Sequence, residues 1–148
     1  MTLNDLRSQG RLRPHKTSRK EVDDLLRLAE RDLGDARVAG VSTDRRFMIA
    51  YEAAVALATI PLHSAGFRTE GPGHHQTTFL APPLVVGAEL SDLAGYLDTC
   101  RTKRNASAYD RSGQVSETEA TELYREAIKL REVVESWLRI NHPKLVTP

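Results

Sequence analysis

The fold of this chain is decided by residues 42–65, which read STDRRFMIAYEAAVALATIPLHSA. Apolar side chains recur there at the spacing of an α-helix on two faces, one beginning at Phe47 and the other at Ile49. A helix that is apolar nearly all round belongs in the interior of a bundle, because it has no face to turn towards water. Its many alanines also let neighbouring helices approach closely. We therefore expect residues 42–65 to form the central helix of a helical bundle.

Three further long helices and one short helix are predicted around the central one. Serine and glutamate are spaced as a capping box at Ser18–Glu21 and at Ser116–Glu119, where their side chains can satisfy free backbone amides at a helix start. Another long helix is expected to begin near residue 87 or 88, and a short one to cover residues 74–81 until Pro82 stops it. No segment alternates convincingly with period two. The predicted fold class is therefore all-α, a bundle of four main helices plus one short helix.

Length and composition indicate one helical domain with two short ends. The 148 residues suffice for a single core, and only 5% of them are aromatic, whereas helix formers such as alanine and leucine are plentiful. Residues 1–16 are predicted to be a flexible basic N-terminal arm, since they contain few apolar side chains and carry Arg7, Arg11, Arg13 and Lys16. The helical domain is expected over residues 17–142, followed by a C-terminal tail at residues 143–148.

Charge and cysteine content limit the classes of partner. The formal net charge of +1 excludes a strong general attraction to nucleic acid or membranes, so any such contact must use a local patch. Cys100, the only cysteine in the sequence, cannot form a disulfide within the chain, which fits a reducing compartment. The first residues are too polar for a signal peptide, and no stretch approaches the length needed to span a bilayer. We therefore expect a cytoplasmic protein with no membrane partner.

The common catalytic and metal-binding motifs are missing from this sequence. It has no glycine-rich phosphate loop, no Gly-x-Ser-x-Gly and no Cys-x-x-Cys, and Cys100 is expected to be an inert packing residue. His74 and His75 are adjacent, so they point to different sides of a helix and cannot chelate as an i, i+4 pair would. His63 could join one of them, but no carboxylate lies nearby in sequence to complete a set. We therefore predict no metal site and no cofactor.

The basic stretch at residues 101–109, which reads RTKRNASAY, is the candidate functional centre. Arg104 continues the inner, apolar face of its helix from Leu97 and Cys100, where a guanidinium is costly unless it is paired or lines a cleft. Glu52 is a matching oddity, because it is a carboxylate within the apolar residues of the central helix. We therefore expect Glu52 and Arg104 to approach each other, directly or through water.

Two interpretations of this stretch remain open from the residue types alone. Arg101, Lys103 and Arg104 can form a solvated basic helix end, which interacts favourably with the helix dipole. The same three cations, beside the polar side chains of Asn105 and Ser107, can equally bind phosphate, and Tyr109 can stack on a base or ribose. Residue types alone do not choose between a solvated end and a phosphate site.

Three parts of the sequence carry a resemblance to a known family. They are residues 46–54 (RFMIAYEAA), residues 73–80 (GHHQTTFL) and the segment from Arg104-Asn105 to Tyr109-Asp110. Over roughly residues 18–140 the chain resembles the HEPN superfamily (higher eukaryotes and prokaryotes nucleotide-binding domains), in particular its small stand-alone bacterial members. The resemblance implies a HEPN-like helical bundle that pairs as a homodimer, in whose cleft the motifs of both subunits would lie.

The family likeness also implies roles for individual residues. Many members are metal-independent ribonucleases whose motif is an arginine followed, four to six residues later, by a histidine. Arg104 matches the arginine, Asn105 matches the polar residue that often follows it, and Tyr109 stands where the histidine is expected. A phenol keeps its proton at neutral pH and is a poor general base, so the motif is a degenerate Arg-x4-Tyr version.

The sequence leaves three functions to consider. The first is binding of RNA or a nucleotide in a dimer cleft, with Arg104, Asn105 and Tyr109 in the catalytic positions. Its further binding residues would be Arg101, Lys103, Ser107, Glu52, His74 and His75. The second is an active endoribonuclease toxin of a toxin–antitoxin or anti-phage system, in which Tyr109, His74 or His75 replaces the motif histidine and an antitoxin or nucleotidyltransferase is the partner. The third is a non-catalytic helical module that binds another protein.

Overall fold

Six helices and one small sheet make up the described part of the chain. The computed structural model describes residues 1–109 and 115–148, without the side chains of residues 106–109. The helices are α1 (Leu3–Ser8), α2 (Arg19–Asp35), α3 (Thr43–Ser64), α4 (His74–Val85), α5 (Ser91–Tyr109) and α6 (Glu117–Asn141). Strands β1 (Leu12–Pro14) and β2 (Phe67–Thr69) pair antiparallel, and short 3-10 turns lie at Ala88–Leu90 and Pro143–Leu145. The predicted all-α fold is confirmed, since the chain is 74% helical.

Helix α3 is the central helix of the bundle, as the sequence predicts. It contacts α2, α4, α5 and α6. Both of its apolar faces are buried, with Phe47 and Ala50 on one and Ala53 and Ile60 on the other at 2% exposure or less. The side chain of Glu52 is 48% exposed, so the helix opens to solvent at the carboxylate that interrupts its apolar run. The core is therefore built around α3, and Glu52 marks a polar opening in it.

The expectation that no stretch is long enough to span a bilayer is wrong for α3. By length and composition alone this helix of 22 residues qualifies, with a mean hydropathy of 1.3 over its most apolar window. However, 61% of that window is buried inside the protein by the surrounding helices. A buried core helix passes the same test, because both kinds of helix need a long apolar surface.

The N-terminal segment differs from the flexible arm expected over residues 1–16. Residues 3–8 form α1, which begins with a capping box between Thr2 and Asp5, and residues 12–14 form β1. Leu6 is fully buried and Leu12 is 2% exposed, in a second apolar cluster with Leu62 of α3 and Ala81 of α4. The arginines of this segment are typical of a solvated arm, but its leucines are buried against the bundle and hold the segment in place.

Two further boundaries differ from the predictions. Helix α4 passes through Pro82 and Pro83 and ends at Val85, because a proline removes only its own N–H and the Val86 amide still donates to the Pro82 carbonyl at 2.8 Å. The expected C-terminal tail at 143–148 is packed, since Leu145 and Val146 contact the main core. Both ends of the chain therefore belong to the folded domain.

The two predicted capping boxes behave differently. At the start of α6 the box is complete, with the Ser116 hydroxyl accepting from the Glu119 amide and the Glu119 carboxylate accepting from the Ser116 amide. At the start of α2 the Ser18 hydroxyl accepts from the Glu21 amide at 3.1 Å, but the Glu21 carboxylate does not return to the Ser18 backbone. The side chains of His15, Thr17 and His63 hold that carboxylate instead.

Candidate functional site

Arg104 lies at the end of a buried apolar stripe on α5. Leu97 and Cys100, which precede it on the same face, are 1% and 4% exposed. The Arg104 side chain is 25% exposed, and its Nη2 lies 3.4 Å from the Glu52 Oε1 on α3. The predicted approach of Glu52 and Arg104 is therefore confirmed.

Tyr51 brings the guanidinium of Arg104 against an aromatic face. The Arg104 Cζ lies 5.6 Å from the centroid of the Tyr51 ring, within the range of a cation–π contact. Tyr51 itself is fully buried and packs edge-on against Phe79 of α4, with ring centroids 5.8 Å apart. Burial raises the pKa of the Tyr51 phenol, so its hydroxyl stays protonated. Tyr51 is thus a core residue whose ring also contacts the guanidinium of Arg104.

His75 reaches the same tyrosine from the first turn of α4. The helix is preceded by Gly73, whose φ of 76° lies in the left-handed region that favours glycine. From this start the His75 Nδ1 forms a hydrogen bond of 2.7 Å with the Tyr51 Oη, and the two rings are tilted with centroids 5.5 Å apart. Arg104 and His75 therefore meet at one aromatic side chain, although they belong to different helices.

The ionisation of His75 follows from this environment. Burial lowers the pKa of His75, the carboxylate of Glu52 opposes that effect, and the cation of Arg104 adds to it. The net direction is down, so the imidazole is neutral at neutral pH. Among the side chains that the structure describes, the hydrogen bond of His75 uses Nδ1, and none uses its Nε2 atom. A neutral imidazole of this kind can take up or supply a proton.

The guanidinium of Arg104 is weakly bonded for a partly buried cation. Its Nη1 lies 3.5 Å from the Asn105 Oδ1, and the contact to Glu52 is 3.4 Å, whereas strong charge-assisted bonds measure about 2.7–2.9 Å. Its Nε is buried and has no partner in the described part of the chain. A buried donor left unpaired costs about 1–3 kcal/mol. Arg104 thus retains most of its bonding capacity.

The neighbouring cations of α5 are held by closer partners. The Arg101 Nε donates to the Asp98 Oδ1 at 2.8 Å, and the Lys103 Nζ lies 3.2 Å from the Glu119 Oε2 of α6. The interpretation of the basic stretch as a solvated helix end is not met, because α5 continues to Tyr109 and has no basic residue in its last turn. Arg104 differs from Arg101 in its bonding and not in its burial: Arg101 is also 25% exposed, but the two hydrogen bonds of Arg104 within the described residues are long, at 3.4 and 3.5 Å.

The other residues predicted for the site differ in their position relative to Arg104. His74 is exposed, and its Nδ1 lies 3.2 Å from the Thr69 Oγ1 of β2, so the two adjacent histidines do point to different sides. Asn105 is exposed next to Arg104. The side chains of Ser107 and Tyr109 lie outside the described residues, and their predicted roles stay predictions.

Cys100 packs beside the site without joining its chemistry. Its side chain is buried, and that burial raises the pKa of the thiol to about 11. A thiol is a poor nucleophile because the thiolate is the reactive form. This geometry agrees with the interpretation of Cys100 as a packing residue.

An apolar groove of about 370 Å³ lies between α4 and α5, and Gln76 and Asp98 are among the residues that line it. Gln76 follows His75 in the chain, and Asp98 is the carboxylate that holds Arg101. Leu84, which lines the groove, is 36% exposed. The groove therefore includes exposed apolar surface.

Tyr51 is a member of the site that the sequence did not predict. Its position on an apolar face of α3 indicated a core residue, and it is one. The only signal for a second role was that Glu52, the carboxylate within the apolar run of the helix, follows it directly.

No family model, curated protein or solved structure matches the chain.

Proposed function

We propose that this chain is a HEPN-like helical module that binds RNA or a nucleotide at Arg104, in the cytoplasm and as a homodimer. The observation that carries the proposal is the state of Arg104, which is three-quarters buried and yet forms, within the described part of the chain, two long hydrogen bonds. A phosphate group is the ligand that best uses a guanidinium with free donors, because it accepts two parallel hydrogen bonds.

A phosphate that binds Arg104 must displace the Glu52 carboxylate from the guanidinium. The Glu52 carboxylate is half-exposed and lies at the long end of hydrogen-bond distance, so it can turn to solvent when an anion arrives. In exchange the guanidinium would gain bonds of ordinary length. The guanidinium would keep its cation–π contact with the Tyr51 ring, since that contact does not use the N–H donors of Arg104.

The polar groups next to Arg104 fit a nucleotide better than a bare anion. Asn105 is exposed beside it and offers both a donor and an acceptor to a base or ribose. His75 adds a neutral imidazole next to Tyr51. Tyr109, whose side chain lies outside the described residues, would stack on a base, as its residue type allows.

Fluorescence titration with a labelled single-stranded RNA and with a labelled nucleoside triphosphate tests the proposal. Arg104→Ala should weaken binding by about tenfold or more, which corresponds to roughly 1.4 kcal/mol. Arg27→Ala removes the same charge from a position on α2, away from the site, and should change the affinity little. Wild-type protein that binds neither probe, or binds both as well after Arg104→Ala, would remove the proposal.

The second candidate function is a metal-independent endoribonuclease in which His75 takes the place of the motif histidine. The specific observation in its favour is that His75 and Arg104 both contact Tyr51. In this reaction the ribose 2′-oxygen would form a bond to phosphorus while its proton passes to His75. The bond from phosphorus to the 5′-oxygen would break, and the departing 5′-oxygen would take up a proton from water. Arg104 would stabilise the charge on the phosphate oxygens.

Cleavage and binding can be separated with one variant. His75→Gln should abolish cleavage of an RNA substrate and relieve any growth arrest caused by expression, while RNA affinity stays within a fewfold of the wild type. As a toxin, the protein would have an antitoxin or a nucleotidyltransferase as its partner. Harmless expression of the wild type, with intact RNA, would leave binding as the function.

Assembly as a homodimer would use the groove between α4 and α5. Leu84 lines this groove, and we propose that two copies pair there because the groove exposes apolar surface. Light scattering on the purified chain measures the mass of the assembly directly.

A module that only binds another protein predicts that the site residues are all paired internally. The Nε of Arg104, which has no partner in the described part of the chain, weighs against that function.

A further inference from the structure

Three side chains, two of them from the segment before α2 and one from the end of α3, converge on one oxygen atom of Glu21. The His15 Nε2 lies 2.7 Å from the Glu21 Oε1, the His63 Nδ1 lies 2.8 Å from it, and the Thr17 hydroxyl donates to it at 2.7 Å. A carboxylate oxygen has two lone pairs, so three short contacts are one more than the lone pairs of this oxygen can accept. This cluster is separate from Arg104 and its partners.

The backbone holds the three groups in place. His15 directly follows β1, and its amide donates to the Gly66 carbonyl at 2.8 Å. Glu21 lies in the first turn of α2, and His63 lies in the last turn of α3. The two imidazole rings are tilted by 50° with centroids 4.4 Å apart. Three segments of the fold therefore meet at this point.

The cluster is largely shielded from solvent but is open on one side. The side chains of His15 and His63 are 17% and 16% exposed, and that of Glu21 is 34% exposed. Burial acts to raise the pKa of Glu21, but hydrogen bonds from His15 and Thr17 and the nearby His63 outweigh it and bring that pKa to about 2. The cluster thus presents an ionised carboxylate beside two imidazoles.

We propose that His15, Glu21 and His63 bind a zinc ion, with water as the fourth ligand. Two histidines and one glutamate with one open position are a ligand set that zinc uses in proteins. The three donor atoms lie within 4.8 Å of one another. Ligands at zinc-bond lengths in a tetrahedron lie about 3.4 Å apart, so the imidazoles need to withdraw from the Glu21 oxygen by less than about 1 Å. The Thr17 hydroxyl would remain on the carboxylate and orient it.

The consequence of zinc binding would be a tighter attachment of the N-terminal segment. His15 belongs to the β1 segment, whereas Glu21 and His63 belong to the two long helices α2 and α3. An ion shared by all three would link the small sheet to the bundle. A metal that binds the folded chain and not the unfolded one raises its stability in proportion to the logarithm of metal concentration.

Calorimetric titration of the full, untagged chain with zinc chloride tests this site. The expected result is one zinc per chain and a midpoint of thermal unfolding that rises with zinc. Glu21→Gln and His63→Ala should each weaken binding by about tenfold or more. His142→Ala removes a histidine at the end of α6 and should leave zinc binding as in the wild type. Absence of stoichiometric binding, or equal binding by Glu21→Gln, would overturn the proposal.

A spectroscopic measurement on the wild type protects the test against variants that fail to fold. Cobalt(II) in place of zinc should give the intense visible absorption of a four-coordinate site. Nitrogen-15 spectra of the histidines should place zinc on the Nε2 of His15 and on the Nδ1 of His63, as the geometry requires. Weak six-coordinate cobalt spectra, or zinc shifts at other histidines only, would contradict the site.

Discussion

The phenol of Tyr51 and the imidazole of His75 are joined by a hydrogen bond of 2.7 Å. This bond connects the central helix α3 to the first turn of α4, and the guanidinium of Arg104 lies against the same ring. A tyrosine that is fully buried as part of the core therefore fixes two polar side chains relative to each other. The position of the candidate site depends on the packing of the bundle, because Tyr51 belongs to both.

Replacing Tyr51 by phenylalanine should destabilise the fold through this bond. The ring and its packing on Phe79 would remain, but the Nδ1 of His75 would lose its partner. We expect the free energy of unfolding to fall by about 1 kcal/mol, measured by urea denaturation. Tyr124→Phe is the matched control, since no hydrogen bond of its hydroxyl occurs in the described residues. Equal stability of Tyr51→Phe and the wild type would show that the bond contributes nothing.

The stability of the protein should depend on pH through His75. Burial holds the pKa of His75 below its ordinary value, so the unfolded chain binds a proton at this residue before the folded chain does. The free energy of unfolding should therefore fall as the pH is lowered from about 7.5 to about 5. In His75→Gln this slope should be shallower, with His74→Gln as the control for removing a histidine from α4. An unchanged slope in His75→Gln would contradict the assignment.

Neutralising Glu52 should strengthen binding of an anionic ligand at Arg104. Glu52→Gln keeps the size of the side chain and removes the charge that competes with a phosphate. At low salt we expect RNA affinity to rise by roughly threefold or more, measured by fluorescence titration. Glu30→Gln, at an exposed position on α2, makes the same charge change away from the site. A rise of equal size in both variants would mean that only net charge matters.

The N-terminal segment should contribute to the stability of the whole domain. Leu6 is fully buried against Leu62 and Ala81, so Leu6→Ala should cost about 2–5 kcal/mol in chemical denaturation. Leu28→Ala is the control, because Leu28 is 37% exposed on α2. A loss no larger than that of Leu28→Ala would indicate that residues 1–16 do not dock.

Helical periodicity predicted the bundle and one half of the site. The apolar run of α3 identified the central helix, and Glu52, the carboxylate inside that run, indicated where a cation had to approach. Counting forward from Leu97 and Cys100 on α5 then identified that cation as Arg104. Both inferences need only the 3.6-residue repeat, which acts within one element at a time.

Periodicity could not supply the contacts that join distant elements. The direction of His75 depends on the left-handed turn at Gly73, and so on where α4 begins. No carboxylate lies near His63 in the sequence, but in the fold Glu21 from the start of α2 contacts it. The same carboxylate contacts His15, which lies next to β1. Tertiary contacts of this kind leave no local pattern in the sequence.

The proposed function requires that the weakly bonded guanidinium of Arg104 receives the phosphate of a nucleic acid. Its side-chain Nε–Hε signal, assigned in nitrogen-15 spectra by its absence in Arg104→Lys, reports this directly. We expect single-stranded RNA at fixed low salt to shift this signal in a saturable way, while the signal of Arg27, away from the site on α2, moves little. An Arg104 signal that stays in place while RNA shifts the signals of other arginines would contradict phosphate binding at Arg104.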